Sequence, residues 1–341
     1  MIQQAIDTII NGENLTYELA RNAMGSIMKG EANESQIAAL LATLRLKGET
    51  VEEISGFAQA MRDACLTVQH DGDVFEIVGT GGDGANTFNI STTSGFVIAA
   101  GGVKVAKHGN RGVSSKCGAA DCLEALGAQL QLNAVQNAKL LNESGMCFMF
   151  APVYHQSMKY AAPVRKALGI RTVFNVLGPL SNPAGATVQL MGVYDKDLVE
   201  PLAKVLVKLG VKRGAVVHGF DGLDEITACD KTYVCEIDNG TVTSYVLDPV
   251  DYGMTYAAHG DLRGGEAKEN AAITRAVLGG EQGPRRNAVL LNAGMAFHLT
   301  DPSLTIADGI ARAAELIDSG AALRCMEQFV KLSNEVTQYD S

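Results

Sequence analysis

The sequence predicts an α/β protein with a small all-helical N-terminal domain over residues 1–70 and a larger α/β domain over 71–341, the latter built on a mostly parallel central sheet. Three observations predict it. The first sixty-odd residues place their apolar side chains only at helical spacing. From Val74 a β run, a glycine-rich turn, a helical run and a second β run follow within about 30 residues, the pattern of a βαβ unit. Beyond it, β-prone and helical stretches keep alternating, as crossover connections between parallel strands require.

In order along the chain, Thr16 opens a helix carrying Leu19, Met24, Ile27 and Met28. Ser35 opens another with Ile37, Leu40, Leu41, Leu44 and Leu46. Thr50 followed by Glu53 is a capping box, in which each side chain satisfies a backbone N–H of the first turn. Apolar spacings of three and four make these stripes core, with a surplus face available for a second copy of the chain. The pattern breaks at His70-Asp71-Gly72-Asp73. The βαβ unit then reads as a strand at Val74–Val78, a turn at Gly79–Gly84, a helix near Ser91–Ala100 and a strand at Val103–Ala106. Helices follow near Ala120–Leu126 and Ala134–Glu143, and strands at Met146–Phe150, Val188–Val193 and Ala215–His218. A helix at Leu198–Leu209 lies between the last two strands. Asn239-Gly240 between β-prone runs signals a hairpin, because both residues tolerate positive φ. Helical patterns return at Ala267–Leu278 and Ala288–Phe297.

The 341 residues carry a net charge of −10, which disfavours nucleic acid and anionic membrane surfaces as partners. No segment approaches the ~20 apolar residues of a membrane span, and the N-terminus lacks a basic, apolar leader. Seven cysteines with no CxxC pair fit reduced thiols in the cytoplasm rather than a zinc module or a disulfide frame.

Chemistry concentrates in one anomaly. From Gly84 to Ala120 there is no Asp or Glu, in a chain holding 38 of them, while Lys104, Lys107, His108, Arg111 and Lys116 fall inside the gap. A local positive field in an acidic protein is expected where a polyanion binds. Beside it stands Gly79-Thr80-Gly81-Gly82-Asp83-Gly84, followed by Asn89-Ile90-Ser91-Thr92. Glycines let backbone N–H groups wrap an anion, and the helix start offers unpaired N–H groups and a positive dipole end. Ser91 and Thr92 are expected to cap that helix and to meet phosphate oxygens. The loop formally fits GxGxxG, but a dinucleotide site needs an acid about 20 residues on, and none occurs before Asp121. No GKS or GKT follows, so it is not a P-loop. Lys107-His108-Gly109-Asn110-Arg111 follows the second β run and places charge and amide donors at the carboxyl end of a parallel strand. Asp224-Glu225, alone an ordinary solvated pair, becomes a candidate Mg²⁺ site beside an anion loop. Arg165 is a candidate clamp for a substrate carboxylate. His155 and His218 are more ordinary as core or surface histidines than as acid–base groups.

These motifs, with Ala162–Pro183 (APVRKALGIRTVFNVLGPLSNP), resemble the anthranilate phosphoribosyltransferase family, within the nucleoside phosphorylase-like transferases, along nearly the whole chain. The resemblance implies a homodimer that transfers phosphoribosyl from PRPP to anthranilate in tryptophan biosynthesis, with Mg²⁺. It implies PRPP contacts at Gly79, Gly82, Asp83, Thr87, Asn89, Ile90, Ser91 and Thr92. It extends them through Lys107, His108, Gly109, Asn110, Arg111, Gly112, Val113, Ser114 and Ser115, and to Ala119. Gly79, Asn110 and Arg165 match anthranilate positions, and Ser91, Asp224 and Glu225 match magnesium positions. The chain departs from the family pattern at Ala119, where a serine is common, at Gly112, and in the Tyr154–Ser157 segment, which lacks a proline after the histidine. No covalent nucleophile is expected, and the catalytic base is unassigned. The competing readings are a pyrimidine nucleoside phosphorylase of the same fold and a non-catalytic nucleic-acid-binding relative.

Overall fold

The structure, a computed structural model, describes residues 1–112 and 115–337. Four helices come first: α1 (Ile2–Ile10), α2 (Tyr17–Met28), α3 (Glu34–Lys47) and α4 (Val51–Asp63). Helix α1 has no counterpart among the expected elements, although Ile2, Ala5, Ile6 and Ile9 bury one stripe at helical spacing. Helix α3 starts a residue earlier than expected, because Asn33 and Gln36 form a reciprocal capping box. The Thr50–Glu53 box of α4 is present as expected.

The α/β unit follows as β1 (Phe75–Gly79), α5 (Ile90–Ala100), β2 (Val105–Gly109), α6 (Ala119–Leu126), α7 (Ala134–Ser144) and β3 (Met146–Phe150). The chain then forms the short helices α8 (Ala151–Tyr154), α9 (Ala162–Leu168) and α10 (Phe174–Leu180). Next come β4 (Val188–Gly192), α11 (Val199–Lys208), β5 (Arg213–Gly219), β6 (Thr232–Asp238) and β7 (Thr241–Leu247). Helices α12 (Ala267–Leu278), α13 (Pro284–Thr300), α14 (Ile306–Asp318) and α15 (Ala321–Glu335) complete the described chain. Strand β2 lies two residues beyond its expected start, because Lys107, His108 and Gly109 continue the ladder to β3. Lys107, His108 and Gly109 therefore belong to a strand and not to the loop after it.

The seven strands run in the order β3-β2-β1-β4-β5-β6-β7. The first five are parallel, and β6 and β7 add an antiparallel edge joined at Asn239-Gly240, where φ is 46° and 90°. Alternate residues feed two cores. Leu190, Ala215 and Val217 face a core shared with α5, α13 and α15, while Met191, Val216 and Cys235 face one shared with α11. The second core also takes in α1–α4, α9 and α10, so the N-terminal helices are buried against the sheet's own cover. Arg62 of α4 reinforces that union by donating to the carbonyls of Leu180 and Leu209.

Connections leave β1 toward β2 on one side, and β4 returns on the other, so the carboxyl ends of β1 and β4 form the sheet's switch point. Both strands end in glycine, and Gly79 pairs with Gly192. A Cβ at Gly79 would collide with the Asp224 carboxylate, and one at Gly192 with the Asp224 carbonyl. The absence of both side chains lets the loop after β5 lie across the strand ends. Gly192→Ala should therefore lower stability by about 1–3 kcal/mol in urea denaturation. Gly25→Ala, in the interior of α2 with nothing within 4 Å of the new Cβ, should raise it by about 0.5–1 kcal/mol.

Candidate active site

The carboxyl ends of β1, β2 and β4 open into a cavity of about 560 Å³. Its floor is the glycine turn after β1. The Gly81 N–H donates to Asp224 Oδ2 at 2.6 Å, tying the turn to the loop after β5. The neighbouring Glu225 Oε1 accepts from the Ser91 N–H at 3.1 Å, at the first turn of α5. Lys107, fully buried in β2, donates to the Ile77 carbonyl at 2.6 Å and to Ser91 Oγ at 3.1 Å.

The carboxylates of Glu225, Glu76 and Asp224 thus act on one buried ammonium, and Asp83 crowds Asp224 and Glu225. Burial and the neighbouring Asp83 and Glu225 hold Asp224 well above the usual carboxylate range. Burial pushes Glu225 up to about 7 against the opposing pull of Lys107. Burial also lowers Lys107. Such a crowd of hard oxygen donors suits Mg²⁺, which relieves the mutual repulsion while keeping several waters.

The helix start differs from expectation. Asn89 is the N-cap of α5 and makes no side-chain cap bond. Ser91 Oγ accepts from Lys107 instead, and Thr92 Oγ1 is buried with no partner in the structure. In the first turn of α5 the N–H groups of Ile90, Ser91 and Thr93 bond the Phe88 carbonyl, Glu225 and the Asn89 carbonyl, so Thr92 is the residue there whose hydroxyl is left for a ligand.

The acid-free stretch does not make one basic face. Lys104 sits at the opposite end of β2, donating to Asn142 Oδ1, and Lys116 is exposed. Arg111 is forked onto Glu124 at 2.5 and 2.8 Å and reaches Asp121 at 3.1 Å. The acids that neutralise it lie just beyond the gap, on α6, where chain distance hid them. Asp121 also accepts the N–H groups of Gly112 and Gly118, which folds the segment after β2 back onto α6.

Arg165 of α9 reaches the opposite wall. Its guanidinium stacks over the Phe174 ring at 5.1 Å, has no carboxylate partner among the described residues and is lowered by burial. An unpaired, partly dehydrated arginine facing a cavity is a ready receptor for a planar carboxylate.

Every expected site residue within the described part of the chain lines this one cavity, including Thr87, Gly109, Asn110, Ser115 and Ala119. Val113 and Ser114 lie outside the described residues. Sequence reasoning gave no role to Arg171, which lines the cavity, donates to the Gly82 carbonyl at 2.6 Å and lies 4.0 Å over the Tyr194 ring. Phe174, Asn175, Gly178 and Pro179 also line it without having been singled out. A basic residue directly after the Gly169-Ile170 break was the only available signal for Arg171. His218 does not line the cavity and bonds the Val193 carbonyl, and His155 is buried outside it.

A buried polar layer supports β2. Glu76 Oε1 accepts the His108 N–H at 3.1 Å, and burial raises Glu76 to about 7. The His108 and His155 rings lie 4.9 Å apart, and burial lowers them to about 3 and about 4.

Comparison with known proteins places these features in context. The family described as glycosyl transferase family, a/b domain, matches residues 71–323, and the glycosyl transferase family, helical bundle domain, matches residues 3–65. The anthranilate phosphoribosyltransferase of Lachnoclostridium phytofermentans is 54% identical over 334 residues, covering 98% of this chain and 99% of its own. That of Methanobrevibacter smithii is 52% identical, covering 98% and 100%. Among solved structures, the enzyme of that name from Thermus thermophilus superposes with a TM-score of 0.91 at 42% identity, covering 97% of this chain and 99% of its own. The Saccharomyces cerevisiae enzyme in complex with PRPP and Mg gives 0.90 at 29% identity, covering 98% of each.

The buried histidines carry a pH signature. His155 falls below its ordinary 6.5 in the folded chain, so it contributes stability above that pH that is lost as pH falls toward about 4. His155→Gln should flatten the decline of urea stability between these values by up to about 3 kcal/mol.

Proposed function

The chain belongs to the anthranilate phosphoribosyltransferase family, and from that premise we propose how its cavity performs the transfer. The enzyme moves the phosphoribosyl group of PRPP to anthranilate, giving N-(5-phosphoribosyl)anthranilate and pyrophosphate, in tryptophan biosynthesis. The observation that carries the site assignment is the placement of two unlike receptors on one cavity. The phosphate side joins the Gly79–Gly84 turn, the start of α5 and Lys107. The acceptor side presents Arg165.

The C1–oxygen bond to pyrophosphate breaks with its electron pair leaving on pyrophosphate, the anthranilate nitrogen forms the new bond to C1, and one amine proton is released to solvent. The leaving charge builds on pyrophosphate oxygens, so catalysis requires donors already aimed at them. Backbone N–H groups of the glycine turn beyond Gly81 and the partnerless Thr92 hydroxyl would serve this purpose, because the Gly81 and Ser91 N–H groups are held by Asp224 and Glu225. Lys107 holds Ser91 in place and offsets part of the charge. Asp224, Glu225 and Ser91 would hold Mg²⁺, which supplies charge neutralisation to the pyrophosphate when bound. Arg165 orients the acceptor through its carboxylate, with Phe174 supporting the guanidinium and Asn110 and Gly79 completing the pocket. An aromatic amine is already unprotonated near neutral pH, so attack depends on positioning more than on a prior deprotonation.

Residues 1–70 and 71–341 are taken as the two units of the enzyme, and the acceptor-side helix α9 packs on α3 of the first. Exposed Ile10 and Leu46 on α1 and α3 supply apolar surface for a homodimer. No helix among the described residues is long and apolar enough to cross a membrane, and the seven cysteines are free, which supports a cytoplasmic location.

Anthranilate fluorescence should fall only when protein, PRPP and Mg²⁺ are all present; loss of signal without PRPP, or none with all three, overturns the reading. Arg165→Ala should raise KM for anthranilate roughly tenfold or more, the worth of about 1.5–3 kcal/mol for charged hydrogen bonds, and leave KM for PRPP nearly unchanged. Asp224→Asn with Glu225→Gln should move the Mg²⁺ titration of activity to higher concentration, and an unchanged curve would remove both from the metal site.

A further inference from the structure

Behind the Asp224-Glu225 loop stands a second group of ligand-type side chains. Asp221, Cys229 and His259 bring one carboxylate oxygen, one thiol sulfur and one imidazole nitrogen to within 4.8 Å of one another. We propose that these three residues form a binding site for a borderline-soft divalent cation of the zinc class, separate from the Mg²⁺ site and clamping the loop that carries Asp224 and Glu225.

The backbone builds the site. The connection from β5 to β6 is cross-braced, with Phe220 N–H on the Lys231 carbonyl and Thr227 N–H on Thr232 Oγ1. Thr227 Oγ1 donates to Asp221 Oδ2 at 2.7 Å and accepts the Cys229 N–H at 2.9 Å, so one hydroxyl fixes both the carboxylate and the thiol-bearing residue. The third ligand arrives on another segment, because the Ala257 N–H bonds the Ala228 carbonyl at 2.9 Å. His259 Nδ1 then lies 3.7 Å from Asp221 Oδ2.

The chemistry favours this class of ion. A thiolate, an imidazole and a carboxylate are the donor types of zinc, whereas Mg²⁺ takes oxygen alone. The Asp221 carboxylate is 5% exposed and forms no ion pair with lysine or arginine among the described residues, so a cation there replaces a missing counter-charge. His259 is 75% exposed, leaving a rotatable ligand that closes on the ion and an open position for water. Separations up to 4.8 Å exceed those between ligands of a tetrahedral ion, so side-chain rotation must accompany binding, most freely at the exposed His259. The thiol proton is released to solvent on binding.

The site also reaches the phosphate side of the cavity. Three residues after His259, the Leu262 carbonyl accepts the Phe88 N–H at 2.9 Å, and the Gly264 N–H bonds the Asn86 carbonyl at 3.0 Å. An ion joining Asp221 and Cys229 to His259 therefore ties the Asp224-Glu225 loop to the segment that holds residues 86–88.

Co²⁺ titration of the full chain under saturating Mg²⁺ tests this. The wild type should bind one Co²⁺ with a thiolate charge-transfer band and four-coordinate d–d absorption. Cys229→Ser should abolish the charge-transfer band. His259→Ala, at an exposed position that leaves folding intact, should weaken Co²⁺ at least about tenfold, the scale on which even outer-shell partners act. Absence of the band in the wild type, or equal binding by both variants, overturns the site. Amide exchange at Phe88 and Gly264 should slow with Zn²⁺ in the wild type and not in Cys229→Ser; unchanged exchange in a zinc-bound wild type overturns the clamp.

Discussion

The chemistry of this protein rests on two missing side chains. Gly79 and Gly192 end adjacent parallel strands, and only because neither carries a Cβ does the Asp224 loop cross directly over them. That crossing puts Asp224 against the Gly81 N–H and Glu225 against the Ser91 N–H. A phosphate-type turn, a helix start and two carboxylates from distant parts of the chain are thereby locked to one point. The switch point of the sheet supplies the crevice, and the glycines supply the clearance.

Electrostatics at that point are unbalanced. Asp83, Asp224 and Glu225 crowd one another, while Lys107, which feels Glu225, Glu76 and Asp224, is itself held by Ser91 and the Ile77 carbonyl. Burial raises Asp224 and Glu225 and lowers Lys107, so their charged forms are disfavoured there, and a divalent cation with a polyphosphate would stabilise them together. Across the cavity the imbalance reverses at Arg165, which has no carboxylate partner among the described residues. A cation held by the carboxylates and the Arg165 guanidinium would then offer two separate positive centres in one cavity, which suits two anionic substrates.

Much of this was legible in the sequence, because local features carried it. The change of hydrophobic period near Val74, the glycine turn and the Asn239-Gly240 hairpin each depend on residues within a few positions. The Thr50–Glu53 box was readable for the same reason, and Asn33–Gln36 was missed only because Ser35 offered a competing cap. What stayed hidden was long-range. Arg111 stands in an acid-free run, yet Asp121 and Glu124 of α6 fold back onto it. Lys104 falls in the same acid-free run, yet the strand carries it to the far end of the sheet. Arg171 acquires its position from Gly82 and Tyr194, partners 89 and 23 positions away, which no local pattern signals.

The second apolar core has a further consequence. It binds α1–α4 to α9 and α10, so Arg165 and Phe174 are anchored in the same body as the N-terminal helices, while the phosphate turn and Asp224 are anchored in the sheet. Under the proposed assignment the two substrates would be handled by differently anchored parts of one molecule. Substitutions that reshape the helical body can broaden or narrow the range of acceptors while the sugar-phosphate machinery stays intact. That division lets one scaffold diversify in what it modifies without relearning how to activate the donor.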